Sequence, residues 1–65
     1  MKPKQANVGD YVRLKNWDDR QKIVRIMPAL FGHDEWEYEL ENGMILMGYE
    51  FAAEDVEDEA WEHQL

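Results

Sequence analysis

EWEYELENGMILM, residues 35–47, decides the fold. Glu35, Glu37, Glu39 and Glu41 alternate with Trp36, Tyr38 and Leu40. Successive side chains on a strand point to opposite faces, so this stretch predicts one apolar face and one wholly acidic face. Asn42-Gly43 then interrupts it. That dipeptide is the strongest short hairpin signal and predicts a two-residue type I′ turn. The strand returns over 44–48. A two-residue loop sets Glu41 opposite Met44, Leu40 opposite Ile45, Glu39 opposite Leu46 and Tyr38 opposite Met47. Directly opposite residues share a face. Ile45 and Met47 are therefore expected in the core, with Met44 and Leu46 beside the glutamates outside.

The flanks continue the β pattern. Tyr11-Val12-Arg13-Leu14-Lys15 alternates apolar and charged residues, which predicts a half-buried strand with Val12 and Leu14 inward. Residues 16–20 (NWDDR) read as a turn, rich in side chains that hydrogen-bond their own backbone. A second strand is expected over 21–27, with Val24 and Ile26 inward, Lys22 in their row and Pro28 as terminator. Residues 29–34 form a loop. Residues 49–53 are expected to add a short fifth strand with Phe51 inward, and 53–60 a short helical turn. The expected organisation is a flexible lead-in over 1–7, one domain over 8–57 and an acidic tail over 58–65.

Sixty-five residues without a cysteine make one small domain with no disulfide or thiolate metal site to reinforce it. With 45% hydrophobic residues, three Trp, three Tyr and two Phe, the chain is not composed like a disordered one. No apolar run approaches the roughly 18 residues of a membrane helix, and the basic start is not followed by the apolar stretch of a signal peptide. A cytoplasmic protein is expected.

The charges are sharply divided. All seven Lys and Arg lie in the first 25 residues, against three Asp there, a net +4; residues 26–65 hold twelve Asp and Glu and no Lys or Arg. A surface of one sign repels polyanions and attracts basic proteins, and ordinary soluble surfaces intersperse both signs.

The order of the parts "VGDYVRLK", "QKIVRI", "YELENGMIL" and "AEDVE" resembles the small SH3-like barrels, in their Tudor-like and KOW-like branch. The resemblance covers Val8 to Glu57. It implies an all-β fold: an SH3-like barrel of four to five antiparallel strands with a short helical or irregular acidic C-terminal tail. It also implies an adaptor role on nucleic acid, ribosomes, polymerases or modified peptide tails, where catalysis is uncommon. Two departures stand out: the first loop carries Asp18 and Asp19, and the second strand lacks the glycine usual in the KOW motif.

The chain has no Ser, Thr or Cys, which excludes hydroxyl and thiol nucleophiles. Exposed carboxylates have nothing to perturb them toward acid–base work. His33-Asp34-Glu35 are adjacent, a spacing that rarely converges on one metal ion. No catalytic residue, metal or cofactor is expected.

The candidate sites are therefore binding surfaces. The first comprises Glu35, Glu37, Glu39, Glu41, Met44, Leu46, Glu54, Asp55, Glu57, Asp58 and Trp61, meeting a basic, nucleic-acid-handling protein and inhibiting or regulating it. DNA mimicry is its sharpest form, and compact acidic proteins of bacteriophages and mobile elements share this character. Carboxylates two apart on a strand are about 6.8 Å apart, half the charge density of one DNA strand, so the row alone does not suffice. The bland counterpart is a solvated outer face whose charges blunt edge pairing. The second candidate is Tyr11, Arg13, Trp17, Arg20 and Arg25, taking nucleic acid or a modified peptide. Its counterpart is a set of cations paired with acids inside the fold. Trp17 reads equally as core or as an exposed binding aromatic. Direct nucleic-acid contact and a membrane partner are not expected; the state is a monomer or a weak self-associate.

Overall fold

The computed structural model describes residues 3–30 and 35–57. The chain runs β1 (Tyr11–Val12), β2 (Gln21–Pro28), β3 (Trp36–Leu40), β4 (Ile45–Met47), two 3-10 turns (Gly48–Glu50 and Ala53–Asp55) and β5 (Val56–Glu57). These form one five-stranded antiparallel sheet in the order β4-β3-β2-β1-β5. The last strand returns to the first, giving a small all-β, barrel-like fold. The expected acidic tail, 58–65, lies outside the described residues.

Val12, Ile23, Tyr38, Leu40, Leu46, Phe51 and Ala6 form the buried core, with Leu14, Trp17, Ile26, Trp36 and Val56 packed against it. Tyr38 meets Phe51 edge to face, ring centroids 5.0 Å apart. So small a core draws much of its apolar area from aromatic rings.

Two expected faces are corrected. In β2, Ile23 is fully buried and Val24 is 45% exposed. Pairing runs Ile23↔Leu40 and then Arg25↔Glu39, so Val24 is an extra residue, a β-bulge. The bulge lets Ile23 and Ile26 both face inward, which strict alternation forbids. The strand also runs one residue further than expected, with Pro28 opposite Trp36 at its end.

The hairpin register is also one residue away from expectation: Glu39↔Ile45, Tyr38↔Leu46 and Glu37↔Met47. The loop has three residues. Gly43 N–H donates to the Leu40 carbonyl and Leu40 N–H to the Met44 carbonyl, at 2.9 and 2.8 Å. Gly43 sits at φ +90°, and the Met44 N–H donates to Asn42 Oδ1 at 3.0 Å. A turn closed by a left-handed glycine is the common three-residue hairpin. Because the side-chain period is two, the slip exchanges faces. Leu46 is buried at 4% and Ile45 is exposed at 47%, the reverse of the prediction.

No strand forms over 49–53. Phe51 is inward as expected, but it lies between the two 3-10 turns. Of the helical turn expected over 53–60, Ala53–Asp55 is a 3-10 turn, β5 follows it, and the remainder lies outside the described residues.

The lead-in is not loose over its described part. Ala6 is buried, and the Gln5 side-chain amide donates to the carbonyls of Gly48 and Phe51 at 2.9 and 2.7 Å. Gln5 N–H donates to Tyr38 Oη at 3.2 Å. The barrel therefore begins before Val8.

Candidate functional site

β3 places Glu37 and Glu39 on the outer face, where they are half-buried, and Glu41 follows, exposed, at the hairpin tip. The row is shorter than predicted because Glu35 is buried. Its Oε1 and Oε2 lie 3.3 and 3.4 Å from where a Cβ on Gly48 would be, so it belongs to the packing beneath the first 3-10 turn. Glu39 shares its charge with Arg25, whose Nε donates to Glu39 Oε1 at 2.7 Å directly across the β2–β3 pair.

Met44 remains on the surface, 42% exposed, as predicted. Leu46 does not; Ile45 takes the outer position opposite Glu39. The hairpin surface thus joins Glu37, Glu39 and Glu41 to Met44 and Ile45. Sequence reasoning missed Ile45 because residues 44–47 are apolar throughout and offer no alternation to choose a face.

Of the remaining acids, Glu54 is exposed, Asp55 is half-buried, and the Asp55 carboxylate accepts from the Ala52 N–H at 3.0 Å. Glu57, on β5, faces Arg20, with Oε2 and an Arg20 Nη 3.6 Å apart. Asp58 and Trp61 lie outside the described residues. So do His33 and Asp34; among the described residues no group of three or more His, Cys, Asp or Glu could hold a metal ion.

The three arginines of the second predicted set each have a contact within the fold. Arg25 is engaged by Glu39. Arg20 lies over the Tyr11 ring, 4.1 Å from its centroid, beside Glu57. Arg13 donates from Nε to the Trp17 carbonyl at 3.4 Å. Part of the positive charge of the first two strands is thus met within the fold.

Trp17 is half-buried. It packs on the core and lines an open cleft of about 340 Å³. Residues 16–19 and Gln21 form one side; Asn42 and Met44, from the β3–β4 hairpin, form the other. Asp18 and Asp19, which sequence position assigns to the basic half, are thereby brought beside the acidic hairpin. The signal that they meet the hairpin is long-range: it needs the β2–β3 pairing, which no local pattern states.

No protein family, curated protein or solved structure matches the chain. Among the described residues no helix is long and apolar enough to cross a membrane.

Proposed function

We propose that this chain is a non-enzymatic, cytoplasmic binding module whose acidic side docks onto a basic, nucleic-acid-handling protein and inhibits or regulates it. The observation that carries this reading is the hairpin surface, where Glu41, Met44 and Ile45 are exposed together and Glu37 and Glu39 lie behind them. The carboxylates steer encounter with a cationic surface, and the apolar pair gives the contact something to bury. With a net charge of −8, the chain as a whole repels phosphate backbones at low salt. Competition for a phosphate-binding surface, as a mobile-element or bacteriophage inhibitor performs it, is the sharpest form.

The test is affinity capture from lysate at two salt concentrations, comparing the chain with a Glu37→Gln, Glu39→Gln, Glu41→Gln variant. Capture of a basic protein is expected to fall with salt and with substitution. Indifference to both defeats the electrostatic account.

A second reading has one observation in its favour, the cleft beside Trp17. In it the barrel is an adaptor of the Tudor-like or KOW-like kind, taking nucleic acid or a modified peptide through Trp17 and the basic strands. Retardation of RNA or DNA at moderate salt selects this reading and rejects the first.

A further inference from the structure

The cleft between the β1–β2 loop and the hairpin has a lining that selects one cation over others. Its one aromatic lining residue is Trp17, and Met44 is its other large apolar one. The rest is polar: Asp18 and Asp19, whose carboxylates only accept hydrogen bonds, and the amide side chains of Asn16, Gln21 and Asn42. Asp18 and Asp19 are both exposed and carry their charge at the rim. A methylated ammonium has few or no N–H groups to give and binds best when several rings surround it. One ring and two carboxylates suit the opposite chemistry. A guanidinium is planar, stacks on an aromatic face and presents a fork of N–H donors, with no acceptor of its own. A phosphate or a carboxylate would meet two like charges.

The chain already builds this combination internally. Arg20 stacks on Tyr11 at 4.1 Å with the Glu57 carboxylate 3.6 Å away, an aromatic face and an acid holding one guanidinium between them. Trp17 with Asp18 and Asp19 repeats the pair at the surface without an arginine of its own among the lining residues. The volume, about 340 Å³, falls at the small end of the ~300–1,000 Å³ typical of ligand clefts, enough for one side chain.

We infer that the Trp17 cleft receives an unmodified arginine side chain of the basic partner, stacked on the indole and held by Asp18 and Asp19. This rests on the proposed function and sharpens it: the hairpin glutamates attract the partner, and the cleft fixes its orientation through one residue.

The test is an NMR titration of the full chain, following the Trp17 indole N–H and the backbone amides of residues 16–21. The probe is Nα-acetyl-arginine methylamide, compared with its citrulline analogue, which is similar in shape and neutral, and with tetramethylammonium. Saturating shifts at about millimolar probe are expected with the arginine derivative. Binding about tenfold or more weaker is expected for the other two. An Asp18→Asn, Asp19→Asn variant leaves the Trp17 packing untouched and is expected to weaken the arginine derivative about threefold or more. Equal binding of the citrulline analogue or of tetramethylammonium overturns the assignment, as do unsaturable shifts or an unaffected double variant. Tighter binding of adenosine monophosphate overturns it in favour of a nucleic-acid ligand. A chain that saturates with the arginine probe but captures no basic protein overturns the proposed function alone. Capture that depends on Glu37, Glu39 and Glu41, with no probe binding, overturns the cleft assignment alone.

Discussion

The centre of this sheet and its closure are built differently. β2 and β3 pair over five positions, from Ile23↔Leu40 to Pro28↔Trp36, above a fully buried Ile23, Tyr38 and Leu40. β1 and β5 pair over two, Tyr11↔Glu57 and Val12↔Val56. Side chains and one further backbone bond supplement that short ladder. Arg20 bridges Glu57 and covers Tyr11, and Arg13 N–H donates to the Asp55 carbonyl at 3.0 Å. The centre is held by apolar burial, which salt does not weaken; the closure leans on half-exposed charge, which salt does. In a domain this small the two should differ in how readily they open.

The comparison is most easily broken at Tyr38. Truncation to Ala removes a buried ring, its edge contact with Phe51 and the acceptor of the Gln5 N–H. The cost is about 3–5 kcal/mol, enough to unfold a marginal domain, and loss of a cooperative denaturant transition is the readout. A folded Tyr38→Ala variant with an unchanged midpoint would mean the centre is not the anchor.

Gly43→Ala strains the hairpin at its left-handed position. Nothing lies within 4 Å of a Cβ there, so backbone conformation alone sets the cost, about 1–2 kcal/mol. The denaturation midpoint should fall without loss of the fold. A neutral result would show the loop can adopt another turn.

Glu57→Gln tests the closure alone. Global stability should change by less than about 1 kcal/mol, as for half-exposed ion pairs generally. Hydrogen exchange should nevertheless quicken at Arg13, whose N–H donates to the Asp55 carbonyl, while β2 and β3 keep their protection. Uniform quickening over the whole sheet would show that closure and centre open as one unit.

The smallest effect is expected at the edge strand β4, which among the described residues pairs with β3 alone. In β4, the Met47 N–H donates to Glu50 Oε1 at 2.8 Å, so a side chain occupies a donor that a further strand could use. Glu50→Ala should leave the denaturation midpoint within about 0.5 kcal/mol. It should raise self-association at high concentration, measured by sedimentation. A strictly monomeric variant would assign Glu50 to the 3-10 turn only.

What the sequence made legible follows the same division. The inner face of β3 could be read because Trp36, Tyr38 and Leu40 alternate with charge. The inner face of β2 could not, since Ile23, Val24 and Ile26 are all apolar and only a bulge decides among them. Met44 to Met47 hid the register for a related reason: every residue there can be buried, so loop geometry chose the face. The burial of Glu35 and the meeting of Asp18 and Asp19 with the hairpin tip depend on contacts far apart in sequence. The acidic outer row was legible apart from Glu35, and the pairing of Arg25 with Glu39 follows the counterpart reading of the basic set, cations paired with acids inside the fold.

Gln5 has a consequence for how the chain is made. Its partners Tyr38, Gly48 and Phe51 are synthesised 33, 43 and 46 positions after it. β1 likewise waits for β5. A nascent chain that has completed the β3–β4 hairpin still lacks the Phe51 carbonyl that holds Gln5 and the strand that closes the barrel. Contacts this distant form slowly, because loop closure must be achieved before they contribute. The barrel therefore shuts only once β5 has been made.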